Sequence, residues 1–173
     1  TAILDQLRCG GVLGSELLPA QQKLFPELLT SDPSGRAPHG LIAAPVGAGK
    51  TAMALGSALH TLQTTADNGL CRIAYIGPFK ALTKQLMRSA SAVLGAERVL
   101  HLQTPDRDTL SRSTIDHLEL SVRRAQPDLL VCTPELLRRL LDGQTAALDL
   151  RLVMVDEASV LDAKGRASLE FVM

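Results

Sequence analysis

Five short apolar runs, separated by stretches with helical patterning, limit what this chain can fold into. They are GLIAAP at 40–45, RIAYIGP at 72–78, RVLHLQT at 98–104, DLLVCT at 128–133 and RLVMVDEA at 151–158. Four of the five lack a polar-apolar alternation, as strands covered on both faces do, and the segments between them favour helix. That succession predicts an α/β architecture, a mainly parallel sheet covered by helices on both faces. With 173 residues, 46% of them hydrophobic, the chain can bury one sizeable core and reads as a single domain.

Local signals add detail. Thr133 is expected to cap a helix with Pro134 in its first turn, Leu136, Leu137, Leu140 and Leu141 on one face, and Arg138 and Arg139 turned away from it. TSDPSGRAPHG, 30–40, carries three kinds of turn former and reads as a surface loop between an amino-terminal helical region and the first strand. No run approaches the roughly 20 apolar residues of a membrane span, and the amino end lacks the basic-then-apolar pattern of a secretory signal. A soluble, intracellular protein is expected.

Cys9, Cys71 and Cys132 are odd in number and widely spaced, without a Cys-x-x-Cys pair; they read as small buried hydrophobes in a reducing compartment. His39, His60, His101 and His117 are scattered and are assigned no chemistry. Eighteen basic residues balance eighteen acidic ones, which argues against a polybasic binding arm. Backbone N–H groups and helix ends remain as means of holding a nucleic acid. The sequence starts at Thr1 without a methionine and stops at Met173 within a helical pattern, so it is expected to be a piece of a longer protein.

The chemistry concentrates in two places. Ala44 to Thr51, APVGAGKT, follows an apolar run, precedes a helical pattern and matches the phosphate-loop pattern with Ala44 in place of the first glycine. In such a loop the N–H groups of Val46, Gly47, Ala48 and Gly49 turn inward around β-phosphate oxygens, the two glycines supplying backbone angles closed to other residues. Lys50 would neutralise the β- and γ-phosphates, and Thr51 would offer its hydroxyl to Mg²⁺. Far downstream, LVMVDEAS ends an apolar run in Asp156 and Glu157. At the carboxyl edge of a parallel sheet, Asp156 is placed to hold the metal's shell and Glu157 to orient or deprotonate an attacking water. The plain alternatives are a glycine turn that starts a helix and an acidic strand-to-helix turn with Asp156 as its cap.

In chain order these motifs resemble those of the superfamily-two helicases and, among them, the DEAD-box RNA helicases. APVGAGKT is similar to motif I, GPFKALTKQ (77–85) to motif Ia, TPELL (133–137) to motif Ib and VDEAS (155–159) to motif II. PAQQKLFPELL (19–29) places Gln21 five residues before Pro26, as in the Q motif, and DEASVLDAKG continues as that family does after motif II. The resemblance implies a RecA-like P-loop domain that uses ATP and Mg²⁺, with Lys50, Asp156 and Glu157 catalytic and Gln21 reading the adenine edge; Gln22 is the neighbouring register. It also implies that Pro78, Lys80, Thr133 and Pro134 line the path of a single RNA strand through its sugars and phosphates. A chain with no Trp, one Tyr and three Phe offers few stacking platforms, which suits a backbone grip.

Some positions depart from the DEAD-box pattern. Ser159 stands where the family has its last Asp, a residue concerned with coupling nucleotide state to RNA. Phe79-Lys80-Ala81 and Glu135 are closer to other branches that act on RNA or DNA, and Leu4 sits near the usual place of an adenine-stacking aromatic, so base selectivity is expected to be loose. The resemblance therefore implies a first RecA-like, ATP-binding domain over 1–173, with 1–30 a helical Q-motif-like lead-in and a second RecA-like domain elsewhere in the same protein. Its activity would be ATP-dependent RNA helicase or ribonucleoprotein remodelling, with ribonucleoprotein partners; residues 1–173 alone would bind nucleotide with little turnover. The alternatives are a catalytically impaired assembly platform and a DNA helicase or translocase of a neighbouring branch.

Overall fold

Runs without alternation belong where both sides of a strand are covered, and that is where the two most apolar ones lie. β1 (Ile73–Ile76) and β3 (Leu129–Cys132) are buried at all four positions each. They form the centre of a parallel sheet of order β2-β3-β1-β4, with β2 (Val99–His101) and β4 (Leu152–Val155) outside them. The computed structural model that shows this describes residues 2–30, 40–65, 71–103, 112–142 and 148–160.

The helices are α1 (Ala2–Cys9), α2 (Pro19–Leu28), α3 (Lys50–Thr64), α4 (Lys80–Leu94), α5 (Arg112–Ala125) and α6 (Pro134–Asp142). Because side chains alternate along a strand and the three ladders are in phase, each strand sorts its residues between two cores. Ile73, Tyr75, Val99, Leu129, Val131 and Met154 meet Leu7 of α1, Phe25 of α2, Met53 and Leu55 of α3 and Leu86 of α4. Ala74, Ile76, Leu130 and Cys132 face the other way, toward Val122 of α5 and Leu136, Leu137 and Leu140 of α6. The expected α/β domain, a parallel sheet with helices on both faces, is thus the fold observed.

Helix α6 follows its sequence pattern: Leu136, Leu137 and Leu140 are buried, Leu141 packs beside them, and Arg139 is exposed. The Thr133 carbonyl accepts from the N–H groups of Leu136 and Leu137 at 3.2 and 3.1 Å, so the turn closes where Pro134 enters. Two expectations are corrected. GLIAAP at 40–45 is not a strand: it joins no ladder with any described strand, and Leu41 is 88% exposed. An apolar run becomes a strand only beside a partner offering a row of N–H and C=O groups, and no described strand offers one here. Cys71 and Cys132 are buried as expected, but Cys9 is exposed at the end of α1. Burial pushes the Cys71 thiol up to about 12, with the Asp128 charge adding to it, which makes this thiol inert. Residues 31–39 of the expected surface loop lie outside the described residues.

The amino edge of the sheet is closed by charge. Asp128, just before β3, accepts from Arg72 Nη2 at 2.8 Å and from Arg98 Nε at 2.6 Å, joining the entries to β1 and β2. Burial alone would raise the Asp128 carboxyl, but hydrogen bonds from the two guanidinium groups, and then their charges, outweigh it and hold the group below its ordinary 3.8. A carboxyl lowered on folding contributes stability above its unfolded value, and this contribution is lost as the pH falls through the lower folded value. Asp128→Asn is expected to cost about 1–3 kcal/mol near neutral pH, because Arg72, little exposed, loses its anion. Urea unfolding at pH 7 and below pH 4 checks this: the gap between the two proteins should shrink at the acid end.

Candidate nucleotide site

The opposite, carboxyl edge gathers the chemistry. Two glycines shape the loop before α3: Gly47 has φ +84° and Gly49, at the helix N-cap, φ +79°, both in the left-handed region. Gly49 brings no side chain to cap the helix, so the amino end of the 15-residue α3 is left to whatever the loop encloses. The Val46 side chain is 95% exposed at the tip of the loop, while Ala44, Ala48, Lys50 and Thr51 are half-buried. The Lys50 amine folds back over its own loop, donating to the carbonyls of Ala44 at 3.0 Å and Pro45 at 3.3 Å.

Gln21 lies against this loop. It is 3% exposed, its Oε1 accepts from the Leu18 N–H at 2.9 Å, and its amide nitrogen faces Gly49 so closely that a Cβ there would collide with it. Four residues on, the Phe25 ring approaches Gly56, where a Cβ would stand 2.7 Å from Cε1. Gln21 and Phe25 share one face of α2, and Gly49 and Gly56, two turns apart, share one face of α3. α2 is therefore seated on α3 at two points, one of them the phosphate-loop pattern itself. Gln22 is exposed and bonds back to the Leu17 carbonyl at 2.9 Å. Leu4 is half-buried against the α1–α4 core.

The acidic pair reaches the same edge. The Asp156 N–H extends the β1–β4 ladder to the Ile76 carbonyl at 2.9 Å, setting Asp156 at the strand's exit. Its Oδ1 accepts from the Glu157 N–H at 3.0 Å, and its Oδ2 accepts from the Tyr75 hydroxyl at 3.3 Å. The Thr51 side chain stands beside the same phenol, so one buried hydroxyl lies between the first turn of α3 and the end of β4. Burial drives the Tyr75 phenol far above its ordinary 10, and the Asp156 charge pushes it further; the Thr51 hydrogen bond works in the opposite sense. Glu157 is exposed, with φ +49°. Ser159 is exposed in the short 3-10 turn Ala158–Val160.

The residues expected along a nucleic acid path collect on neighbouring loops of this edge. Pro78 follows β1 and Lys80 opens α4; Thr133 follows β3 and Pro134 opens α6. The Gly77 N–H donates to the Cys132 carbonyl at 3.1 Å, which keeps the two loops side by side. Beyond them, His101 Nε2 lies 2.9 Å from Thr83 Oγ1 and 3.2 Å from Gln103 Nε2. Burial, then the nearby Lys84, lower the His101 ring below its ordinary 6.5, so it is neutral at pH 7 and serves as a polar link between β2 and α4. Sequence reasoning passed over both Tyr75 and His101: the first lay within an apolar run, and nothing in the spacing of the second pointed to Thr83, eighteen residues away.

The chain matches the DEAD/DEAH box helicase family over residues 18–172, nearly its whole length, and belongs to that family. No curated protein matches it. A domain of this family implies helicase-type, ATP-dependent function and binding of nucleic acid, and the family uses ATP with Mg²⁺. Among the described residues no helix is long and apolar enough to cross a membrane.

Proposed function

We propose that these residues form the first RecA-like domain of an ATP-dependent RNA helicase of the DEAD-box kind, a domain that holds ATP at the phosphate loop while its carboxyl edge grips a single RNA strand. The observation that carries the reading is that Thr51 and Asp156 stand beside one Tyr75 hydroxyl, which brings the loop and the acidic strand together. The donor set suits Mg²⁺: a hydroxyl and a carboxylate supply hard oxygens, and phosphates and water complete the shell of such an ion. Thr51 and Asp156 would hold it, and when bound it neutralises charge on the phosphates.

The chain's own groups do the rest. The Lys50 amine exchanges the Ala44 and Pro45 carbonyls for phosphate oxygens, and the N–H groups from Val46 to Thr51 surround them at the open amino end of α3. Glu157 accepts the proton of the attacking water. Gln21 contributes by setting the loop from α2, its carbonyl oxygen being engaged at Leu18. Pro78, Lys80, Thr133 and Pro134 contact the RNA backbone from the paired loops. A second RecA-like domain supplies the arginine that completes sites of this kind, so residues 1–173 by themselves bind nucleotide with little turnover.

The test is ATP hydrolysis by the full-length protein with single-stranded RNA or DNA of matched length. Stimulation by RNA above DNA is expected; stimulation by DNA alone assigns the protein to a DNA-translocating branch. A second reading, a helicase-like assembly platform, rests on Ser159, and a protein that binds ATP without stimulation by either strand would favour it.

A further inference from the structure

We infer that Tyr75 is a positioning residue for the metal, fixing Asp156 in the orientation that receives Mg²⁺. The inference rests on reading the site as a Mg²⁺–nucleotide site. Tyr75 on β1 donates to Asp156 at the exit of the neighbouring β4, with the Thr51 side chain beside the same phenol. Asp156 is an acceptor, so the Tyr75 proton points at Oδ2, which it meets at 3.3 Å.

The phenol occupies one lone pair of Asp156 Oδ2, while the Glu157 N–H occupies one on Oδ1. The carboxylate is held from both sides with lone pairs remaining on each oxygen. Partners one step out from a metal tune its affinity by orienting the groups that bind it.

Rigidity around the phenol makes the arrangement dependable. Tyr75 is 1% exposed, and its strand is paired on both sides, with Val131 and Met154 as its neighbours in register. It is the one tyrosine of residues 1–173, which hold no tryptophan, so the intrinsic emission of these residues by themselves reports on this hydroxyl alone.

Binding of fluorescent ADP is measured in EDTA and across a Mg²⁺ titration, for the wild-type protein and for Tyr75→Phe, with melting curves recorded for both. The Mg²⁺ midpoint should rise about 10-fold in Tyr75→Phe, with unchanged affinity in EDTA. Tyrosine emission of wild-type residues 1–173 bound to unlabelled ADP should change when Mg²⁺ is added. A midpoint in Tyr75→Phe equal to or below that of the wild type overturns the role of Tyr75 and leaves the phosphate loop untouched. A wild-type protein whose ADP binding ignores Mg²⁺ overturns both this inference and the site reading beneath it. Should Tyr75→Phe fail to fold, the wild-type emission decides alone: no change with Mg²⁺ overturns the inference.

Discussion

Lys50→Ala is expected to weaken binding of ATP with Mg²⁺ on the order of 10- to 100-fold, since hydrogen bonds to charged groups contribute about 1.5–3 kcal/mol and each 1.4 kcal/mol is tenfold. Folding should hardly change. Among the described residues the amine bonds to the carbonyls of Ala44 and Pro45, on a loop where Pro45 is exposed and water can take its place. The variant therefore separates the two interpretations of APVGAGKT: a turn that merely begins a helix would keep its nucleotide affinity, or have none to lose. Fluorescence titration with and without the metal, next to a melting curve, is sufficient.

The second large effect concerns Glu157. Glu157→Gln in the full-length protein should slow ATP hydrolysis by about 10²- to 10⁴-fold and leave nucleotide affinity near the wild-type level, as removal of a general base does. The backbone lends this weight. Glu157 has φ +49°, a region that costs a non-glycine residue roughly 1–2 kcal/mol. Glu157→Gly should accordingly fold about 1 kcal/mol more stably while losing hydrolysis as fully as the amide variant. Hydrolysis at the wild-type rate in Glu157→Gln would remove this residue from the reaction.

Much of the fold could be read because it depends on local rules. The unalternating runs at β1 and β3 announce burial on both faces, and the leucine spacing in α6 announces one apolar side. The run at 40–45 escaped the same logic, since composition says that a segment tolerates burial while only a neighbouring strand makes it part of a sheet. The candidate site divides in a similar way. Gly47, Gly49, Lys50, Thr51, Asp156 and Glu157 were legible because phosphate and metal chemistry fixes residue types at fixed spacings. Gln21 was legible as a residue of interest, but its bond to Leu18 and its approach to Gly49 are matters of side-chain placement. Tyr75 gave no signal at all: whether its hydroxyl meets Thr51 and Asp156 is settled by strand order and register, which pair residues far apart in sequence.

The two-point seat of α2 on α3 turns the lead-in into a lever. With Gln21 pressed on Gly49 and Phe25 on Gly56, two turns further along α3, a tilt of α2 is felt first at the bend before Lys50. Under the proposed function, a push on α2 from outside would thereby reach the nucleotide.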